Sequence, residues 1–162
     1  MKALTLKVVL TLLFYLFCFW VKSQSIWTIG PMLHVNFGAD KIRCSYNFEV
    51  AYWNHSAFPW SIDFALEFEK NKVRFYGEGQ TGIGLAGISA GPVVEFQTIE
   101  RKTKLGLQAS VWGNYFWGFD LRYRKISGDS FFCPGTYLKT GFGGMDKNGD
   151  PIKHSSLSHW GD

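Results

Sequence analysis

Charged side chains with the spacing of β-strand faces are the strongest candidates for chemistry in this sequence. Two carboxylates on one face can shift each other's pKa and act as general acid and general base. Glu67 and Glu69 share a face, and Glu78 and Glu95 are expected on neighbouring strands. A barrel with a filled interior needs the same residues as ion pairs, because buried charges must be compensated. We therefore interpret the following residues mainly as an ion-pair network inside a barrel: Glu49, Asp63, Glu67, Glu78, Glu95, Asp120, Arg122 and Arg124.

A serine–histidine pair is a second candidate, because a serine nucleophile needs a histidine base within hydrogen-bonding reach. His34 falls on a polar strand face, and no strand places a lipid-facing serine two residues from a histidine. His154 and Ser156 have that spacing, but they lie in a polar tail that gives them no fixed orientation. The sequence contains no convergent catalytic set, and an enzymatic activity is not predicted from it.

A possible calcium loop near the C-terminus is also incomplete. Asp146, Asn148 and Asp150 have alternating spacing, but the distal glutamate that completes such a loop does not follow. We predict an ordinary turn there. No metal ligand and no cofactor is predicted anywhere in the chain.

The elements that must position the charged groups are β-strands, because polar and apolar residues alternate with a period of two. The alternation is clearest in residues 104–124, where Gly113-Asn114 predicts a two-residue hairpin turn. The run 72–98 is too long for one strand and is divided near residues 84–87. No helical period appears after residue 23. The strands expected are 26–38, 44–55, 60–69, two within 72–98, 104–112, 115–124 and 135–142.

The first 23 residues have the pattern of a secretory signal peptide. Lys2 and Lys7 precede an apolar run from Val8 to Val21, and cleavage is expected after Ser23. The alternative is an N-terminal membrane anchor, for which the run is short, since a spanning helix needs about 20 apolar residues. We expect a signal peptide over 1–23, a barrel domain over 24–142, and a polar, poorly ordered tail over 143–162.

Removal of the signal peptide changes the charge of the chain. Three lysines and no acids leave with it, so 14 basic residues remain against 13 acidic ones and the net charge falls from +4 to about +1. The basic character that would suggest a nucleic-acid partner is therefore a property of the signal peptide. We predict no nucleic-acid partner.

Eight amphipathic strands can close into a barrel with either face inward. A lipocalin-like barrel is apolar inside, whereas an outer-membrane barrel is apolar outside. The apolar faces carry no charged residue, and lysine is nearly missing from the middles of the strands. Both features favour lipid outside and an ion-paired lumen inside. Tyr and Trp crowd the strand ends, as in interfacial girdles: Tyr52, Trp53, Trp60, Trp112, Tyr115 and Trp117.

We therefore predict an all-β, eight-stranded antiparallel up-and-down β-barrel, monomeric and in contact with outer-membrane lipid. Its lumen is expected to be too narrow for solute flow, which favours a structural or interaction role at the cell envelope. Two alternatives stay open. One is a soluble lipocalin-like barrel, periplasmic or secreted, that binds an apolar ligand. The other is an outer-membrane enzyme that modifies lipid.

Two cysteines remain after cleavage, in a compartment where disulfides persist. Cys44 follows the first outer loop, and Cys133 is expected in the last one. Closure of the barrel would bring these loops together, so a Cys44–Cys133 disulfide is a geometric possibility. The alternative is that Cys44 points outward as a free thiol.

Three stretches of the sequence resemble the small outer-membrane β-barrel proteins of the OmpX and PagL kind, and also uncharacterised exported barrels of Bacteroidota. They are GEGQTGIGLAGISAGPVVEF, GLQASVWGNYFWGFDLRYR and PGTYLKTGF. The resemblance covers most of the mature chain and implies a membrane barrel that ends on an aromatic residue. Phe142 would be that residue, although about 20 residues follow it.

Overall fold

The regular elements among the described residues are all β-strands. The computed structural model describes residues 24–38, 41–55, 58–83, 85–114, 117–145 and 150–151. Within these ranges no helix is long and apolar enough to cross a membrane. The predicted signal peptide and most of the predicted tail lie outside them. The strands are β1 Gln24–Phe37, β2 Ile42–His55, β3 Trp60–Glu69, β4 Lys72–Gly82, β5 Ala86–Gln97, β6 Lys102–Gly113, β7 Trp117–Ile126, β8 Asp129–Leu138 and β9 Thr140–Met145.

The strands form one antiparallel sheet that closes on itself. β1 pairs with β2 along one edge and with both β8 and β9 along the other. β8 and β9 share one register against β1, because His34 is opposite Gly135 and Ile29 is opposite Thr140. They are therefore two halves of a single eighth strand. The predicted eight-stranded antiparallel β-barrel is confirmed.

The eighth strand is interrupted at Lys139, between β8 and β9. Gly30 of β1 lies beside the interruption, and a Cβ added there would meet the backbone of Leu138 and Lys139. Since glycine has no side chain, the two strands can approach closely at this point. The Lys139 side chain consequently enters the lumen, where its Nζ contacts Glu49.

Side chains alternate between the lumen and the outer surface, as the period of two requires. On β7, Phe119 is 72% exposed while its neighbour Asp120 is 3% exposed. On β3, Phe64 is exposed while Asp63 is fully buried. The polar faces therefore point inward and the apolar faces outward, as predicted for a membrane barrel and opposite to a lipocalin-like barrel.

The predicted two-residue turn at Gly113-Asn114 is wrong. Gly113 pairs with Phe119, so five residues separate the paired positions of β6 and β7. Residues that are paired across two strands lie on the same face of the sheet. A two-residue turn at Gly113-Asn114 would pair residue 112 with residue 115, and so would place even-numbered residues of β6 on the same face as odd-numbered residues of β7. Val111 and Leu121 are both odd-numbered and both face outward. The connection between paired positions of β6 and β7 must therefore contain an odd number of residues. Asn114, the first residue of this connection, has a positive φ of 71°.

The eighth strand begins earlier than expected, because the predicted loop 125–134 does not exist. A two-residue turn at Ser127-Gly128 joins β7 to β8, with φ of 47° and 97°. Positive φ at both central positions is the geometry that suits a tight hairpin. The predicted division of residues 72–98 agrees with the structure, since β4 ends at Gly82 and β5 begins at Ala86. The last strand continues to Met145, beyond the expected boundary at Phe142.

The two ends of the barrel differ in composition. The turns after β1, β3, β5 and β7 form one end, which we call the hairpin rim; the chain enters and leaves the barrel at the other end, the terminal rim. Aromatic side chains are packed near the terminal rim, with the rings of Trp27 and Trp60 centred 5.1 Å and 6.1 Å from the Tyr52 ring. Basic residues gather at the hairpin rim: Lys41, Arg43, Lys70, Lys72, Arg101, Lys102, Lys104 and Lys125.

Candidate functional site

The charged residues singled out from the sequence are brought together in the lumen. Each of the eight is at most 3% exposed. They occupy the inward positions of five different strands, so closure of the sheet is what makes them neighbours. Isolated charges at such depth would be strongly disfavoured, and their stability depends on pairing.

Glu67 is the centre of the ion-pair network on the hairpin side of the lumen. Arg124 binds both of its carboxylate oxygens, with Nη1 to Oε1 at 3.0 Å and Nη2 to Oε2 at 2.7 Å. Arg74 Nη1 also donates to Glu67 Oε1, at 2.5 Å. Arg74 further contacts Glu69 Oε2 at 2.9 Å and Glu95 Oε2 at 2.8 Å. The two guanidinium groups thus connect three carboxylates, and their planar geometry suits bidentate pairing.

Arg122 organises a second group around Glu78. Its Nη2 lies 2.9 Å from Asp120 Oδ2 and 3.4 Å from Glu78 Oε2, and its guanidinium carbon is 4.4 Å from the centroid of the Tyr76 ring. Gln108 Nε2 donates to Glu78 Oε1 at 2.5 Å. The guanidinium carbon of Arg124 is 5.8 Å from the same centroid, so the Tyr76 ring contacts cations of both arginine-centred groups. Gln108 also links the two groups, because its Oε1 accepts a hydrogen bond from Arg124 Nε at 2.8 Å.

His34 is held between two polar partners and does not form a hydrolase pair. Its Nε2 lies 2.8 Å from Asp120 Oδ2, and Asn47 Nδ2 donates to its Nδ1 at 3.0 Å. This pattern assigns the ring proton to Nε2, which donates to Asp120. Both ring nitrogens are occupied and the residue is 2% exposed, so His34 cannot activate a serine at the surface.

Glu49 and Asp63 lie on the terminal side of the lumen. Glu49 Oε1 accepts a hydrogen bond from Lys139, and Asp63 Oδ1 accepts one from Ser61 Oγ at 2.6 Å. The second oxygen of each carboxylate is buried and has no partner among the described residues. Buried polar atoms of this kind are commonly satisfied by ordered water, and we expect water to bind here.

The interior is filled except at the hairpin rim, where a polar cleft of about 280 Å³ remains. Trp53 and Trp112 pack edge to face, with ring centroids 5.4 Å apart, toward the terminal rim. The two cavities lined by Trp112 measure about 10 Å³ each, roughly what a single water molecule needs. Toward the hairpin rim, Phe131 lies against Lys72 and Arg74, whose cationic groups are 5.6 Å and 5.9 Å from its ring centroid. In the part of the chain that the structure describes, the interior has no open channel and no apolar cavity for a ligand.

The possible Cys44–Cys133 disulfide is not formed. Both residues are free thiols; Cys44 is exposed and Cys133 is fully buried. Cys133 lies within β8 and points into the lumen, because the expected loop around it is strand, whereas Cys44 is on the outer surface of β2. The barrel wall separates the two thiols, and rotation of the side chains cannot bring them together.

This arrangement predicts the thiol reactivity of the folded barrel. In a chain that begins at residue 24, Cys44 is expected to react with a lipid-soluble maleimide, and Cys133 is expected to react only after unfolding. Mass spectrometry should therefore find one label per folded chain and two per denatured chain. Two labels on the folded chain, or none after denaturation without reductant, would contradict the assignment of the faces.

Several lumen residues were not recognised from the sequence. Arg74 has the same inward parity as Tyr76 and Glu78, so alternation alone could have identified it. Lys139 also has the parity of Tyr137, but the sequence appeared to restrict lysine to strand ends. The sequence did not indicate a role for Asn47 in the lumen, because an amide side chain on a polar face is common in strands of any kind.

Comparisons with known proteins find only solved structures of low sequence identity. No family model and no curated protein matches the chain. Among solved structures, the de novo designed TMB2.3 is similar, with 12% identity over 70% of this chain and 94% of that one and a TM-score of 0.49. Ail, the attachment invasion locus protein of Yersinia pestis, has 14% identity over 75% of this chain and 99% of that one, with a TM-score of 0.40. These scores are low, and the fold assignment depends on the strand pairing of this chain itself.

Proposed function

We propose that this chain is a small outer-membrane β-barrel, exported through its N-terminal signal peptide, with a structural or interaction role at the cell envelope. The observation that supports this proposal is the uncharged apolar belt on the outer surface. Soluble monomers rarely expose contiguous apolar patches larger than a few hundred Å². Here large apolar side chains are exposed on all eight strands of the barrel, among them Leu33, Phe48, Phe64, Phe75, Ile88, Leu107, Phe119 and Leu138.

The height of the belt fits a membrane. On β1 the outward positions run from Trp27 to Phe37. Ten residue steps at about 3.3 Å, on a strand tilted by roughly 40°, give an apolar height of about 25 Å. Outer-membrane barrels carry an apolar band of about 25 Å. The aromatic residues Trp27, Tyr52 and Trp60 lie near one edge of the belt, where interfacial rings are expected.

The filled lumen supports a role other than transport. An apolar ligand of a lipocalin-like barrel needs an apolar cavity. This lumen contains the ion-pair network, two cavities of about 10 Å³ and a polar cleft of about 280 Å³ at the hairpin rim. A lipid-modifying enzyme needs a base at the lipid-facing surface, and His34 is buried with both nitrogens occupied. Neither alternative therefore has a supporting observation in the described residues.

Fractionation of cells that express the full chain tests the proposal. We expect the processed protein in the outer-membrane fraction, resistant to high salt and alkaline washing and released by detergent, because the belt is buried in hydrocarbon. A monomer that stays soluble without detergent in the periplasm or medium would overturn the proposal. A lipid profile that changes when the gene is deleted would instead support the enzymatic alternative.

A further inference from the structure

The lumen opens at the hairpin rim into a polar cleft that the ion-pair network does not fill. The cleft has a volume of about 280 Å³. Drug-sized ligands occupy pockets of roughly 300–1,000 Å³, so this cleft suits a smaller solute. Residues that line it include Asn36, Arg43, Glu69, Lys72, Asp129 and Phe131 at inward-facing positions, and Lys41 in the first turn.

Two cations of the cleft, Arg43 and Lys72, have one carboxylate partner each. Arg43 is 3.2 Å from Glu69 and Lys72 is 3.4 Å from Glu95, longer than the contacts of Glu67 deeper in the lumen. Lys41 is exposed and has no ion pair among the described residues. Lys70, Arg101 and Lys125 add positive potential around the same rim. The three cations that line the cleft outnumber its two carboxylates, Glu69 and Asp129. The cleft therefore favours an anion, which the cations can bind through charge-assisted hydrogen bonds.

The remaining lining groups favour hydroxyl groups on that anion. Asn36 is 3% exposed, and its Oδ1 has no hydrogen-bond partner among the described residues. The Asp129 carboxylate is about half exposed and lies 3.6 Å from Lys104. Both groups accept hydrogen bonds, so they require donors on the ligand. Phe131 adds an apolar surface beside Gly38, where the absence of a side chain leaves space for its ring.

We propose that this cleft binds a soluble, hydroxylated small anion of the sugar-phosphate class. Lys41, Arg43 and Lys72 bind the phosphate, while Asn36 and Asp129 accept hydrogen bonds from hydroxyl groups. Most of the lining residues face the mouth of the lumen, inside the wall, so a solute reaches them from the aqueous phase. The inference does not depend on the proposed membrane role, because the same mouth would exist in a soluble barrel.

NMR titration of the folded, ¹⁵N-labelled chain in micelles of an uncharged, sugar-free detergent tests the proposal. The probe is glucose 6-phosphate, with glucose and inorganic phosphate as matched controls. We expect saturable shifts at the amides of Lys41, Arg43, Asp129 and Phe131. Each control should bind about tenfold more weakly, because it lacks one set of hydrogen bonds. The absence of these shifts, or equal affinity for inorganic phosphate, would overturn the proposal.

Two variants separate the cleft from the general charge of the rim. Lys41→Gln removes a cation of the cleft, and Lys70→Gln removes an exposed lysine of the same rim that does not line it. We expect Lys41→Gln to weaken glucose 6-phosphate binding about tenfold and Lys70→Gln by less than about twofold, since only Lys41 makes a direct charge-assisted contact. Equal losses in the two variants would mean that the rim attracts anions without a site.

Discussion

Glu67→Leu is expected to destabilise the folded barrel by about 3–5 kcal/mol, the usual cost of removing one partner from a buried ion pair. Glu67 is fully buried and binds Arg74 and Arg124. Leucine would leave two guanidinium groups in the lumen without their shared carboxylate. The measurement is the free energy of unfolding from urea titration of the barrel in lipid vesicles, followed by tryptophan fluorescence.

Two further variants test whether the loss of stability in Glu67→Leu comes from the buried ion pair. Glu100→Leu breaks an exposed pair with Lys102 on the hairpin rim and should cost roughly 0–1 kcal/mol. Adding Arg124→Met to Glu67→Leu should recover part of the loss, because an apolar pair avoids the uncompensated charge. A loss below about 1 kcal/mol for Glu67→Leu would show that the network does not stabilise the barrel.

Phe64→Arg is expected to cost about 2–4 kcal/mol in a bilayer, the range for arginine or lysine at the midplane on the lipid face of a barrel. Phe64 is half exposed at the middle of the outer face of β3, and its ring stacks on Phe75 at 6.3 Å. The substitution also removes this packing, so Phe64→Leu is the matched control. The difference between the two variants, measured by the same urea titration, isolates the effect of the charge.

A rim position provides the second control. Ile99 is 73% exposed in the turn between β5 and β6, outside the apolar belt, and Ile99→Arg should change stability by less than about 0.5 kcal/mol. If the barrel functions in water, Phe64→Arg should behave like Ile99→Arg and increase solubility. That outcome would contradict the membrane assignment directly.

The direction of most strand side chains could be predicted from the sequence alone, but Trp53 and Trp112, expected among the interfacial rings, point into the lumen. Phe119 faces outward and Asp120 inward because successive residues of a strand point to opposite sides, whatever the register. The strand count and the division near residues 84–87 follow from strand length and glycine content. The absence of charge on the apolar faces is equally visible in the sequence, and it favoured the barrel with apolar residues outside while the lipocalin-like barrel stayed an alternative.

The contacts of the lumen could not be predicted in the same way. Glu67 meets Arg124 across four strands only because the sheet closes with a particular stagger between strands, which local patterns do not encode. The prediction of a two-residue turn at Gly113-Asn114 was wrong because the Gly-Asn dipeptide is only a local signal. The outward residues of both flanking strands are odd-numbered, which excludes a two-residue turn. Cys133 was misplaced because Gly128 ends the preceding turn earlier than the cluster of polar residues suggested.

In the proposed membrane location, the unequal rims make the orientation of the barrel permanent. Lys41, Lys70, Arg101 and Lys125 form no ion pair among the described residues, and all four would enter hydrocarbon if the barrel turned over. At a few kcal/mol each, they raise the barrier by on the order of 10 kcal/mol. Such a barrier slows inversion by about ten-million-fold, in addition to the cost of moving the rest of the rim. The cleft of a barrel inserted in this way therefore faces one side of the membrane from assembly onward and does not change sides.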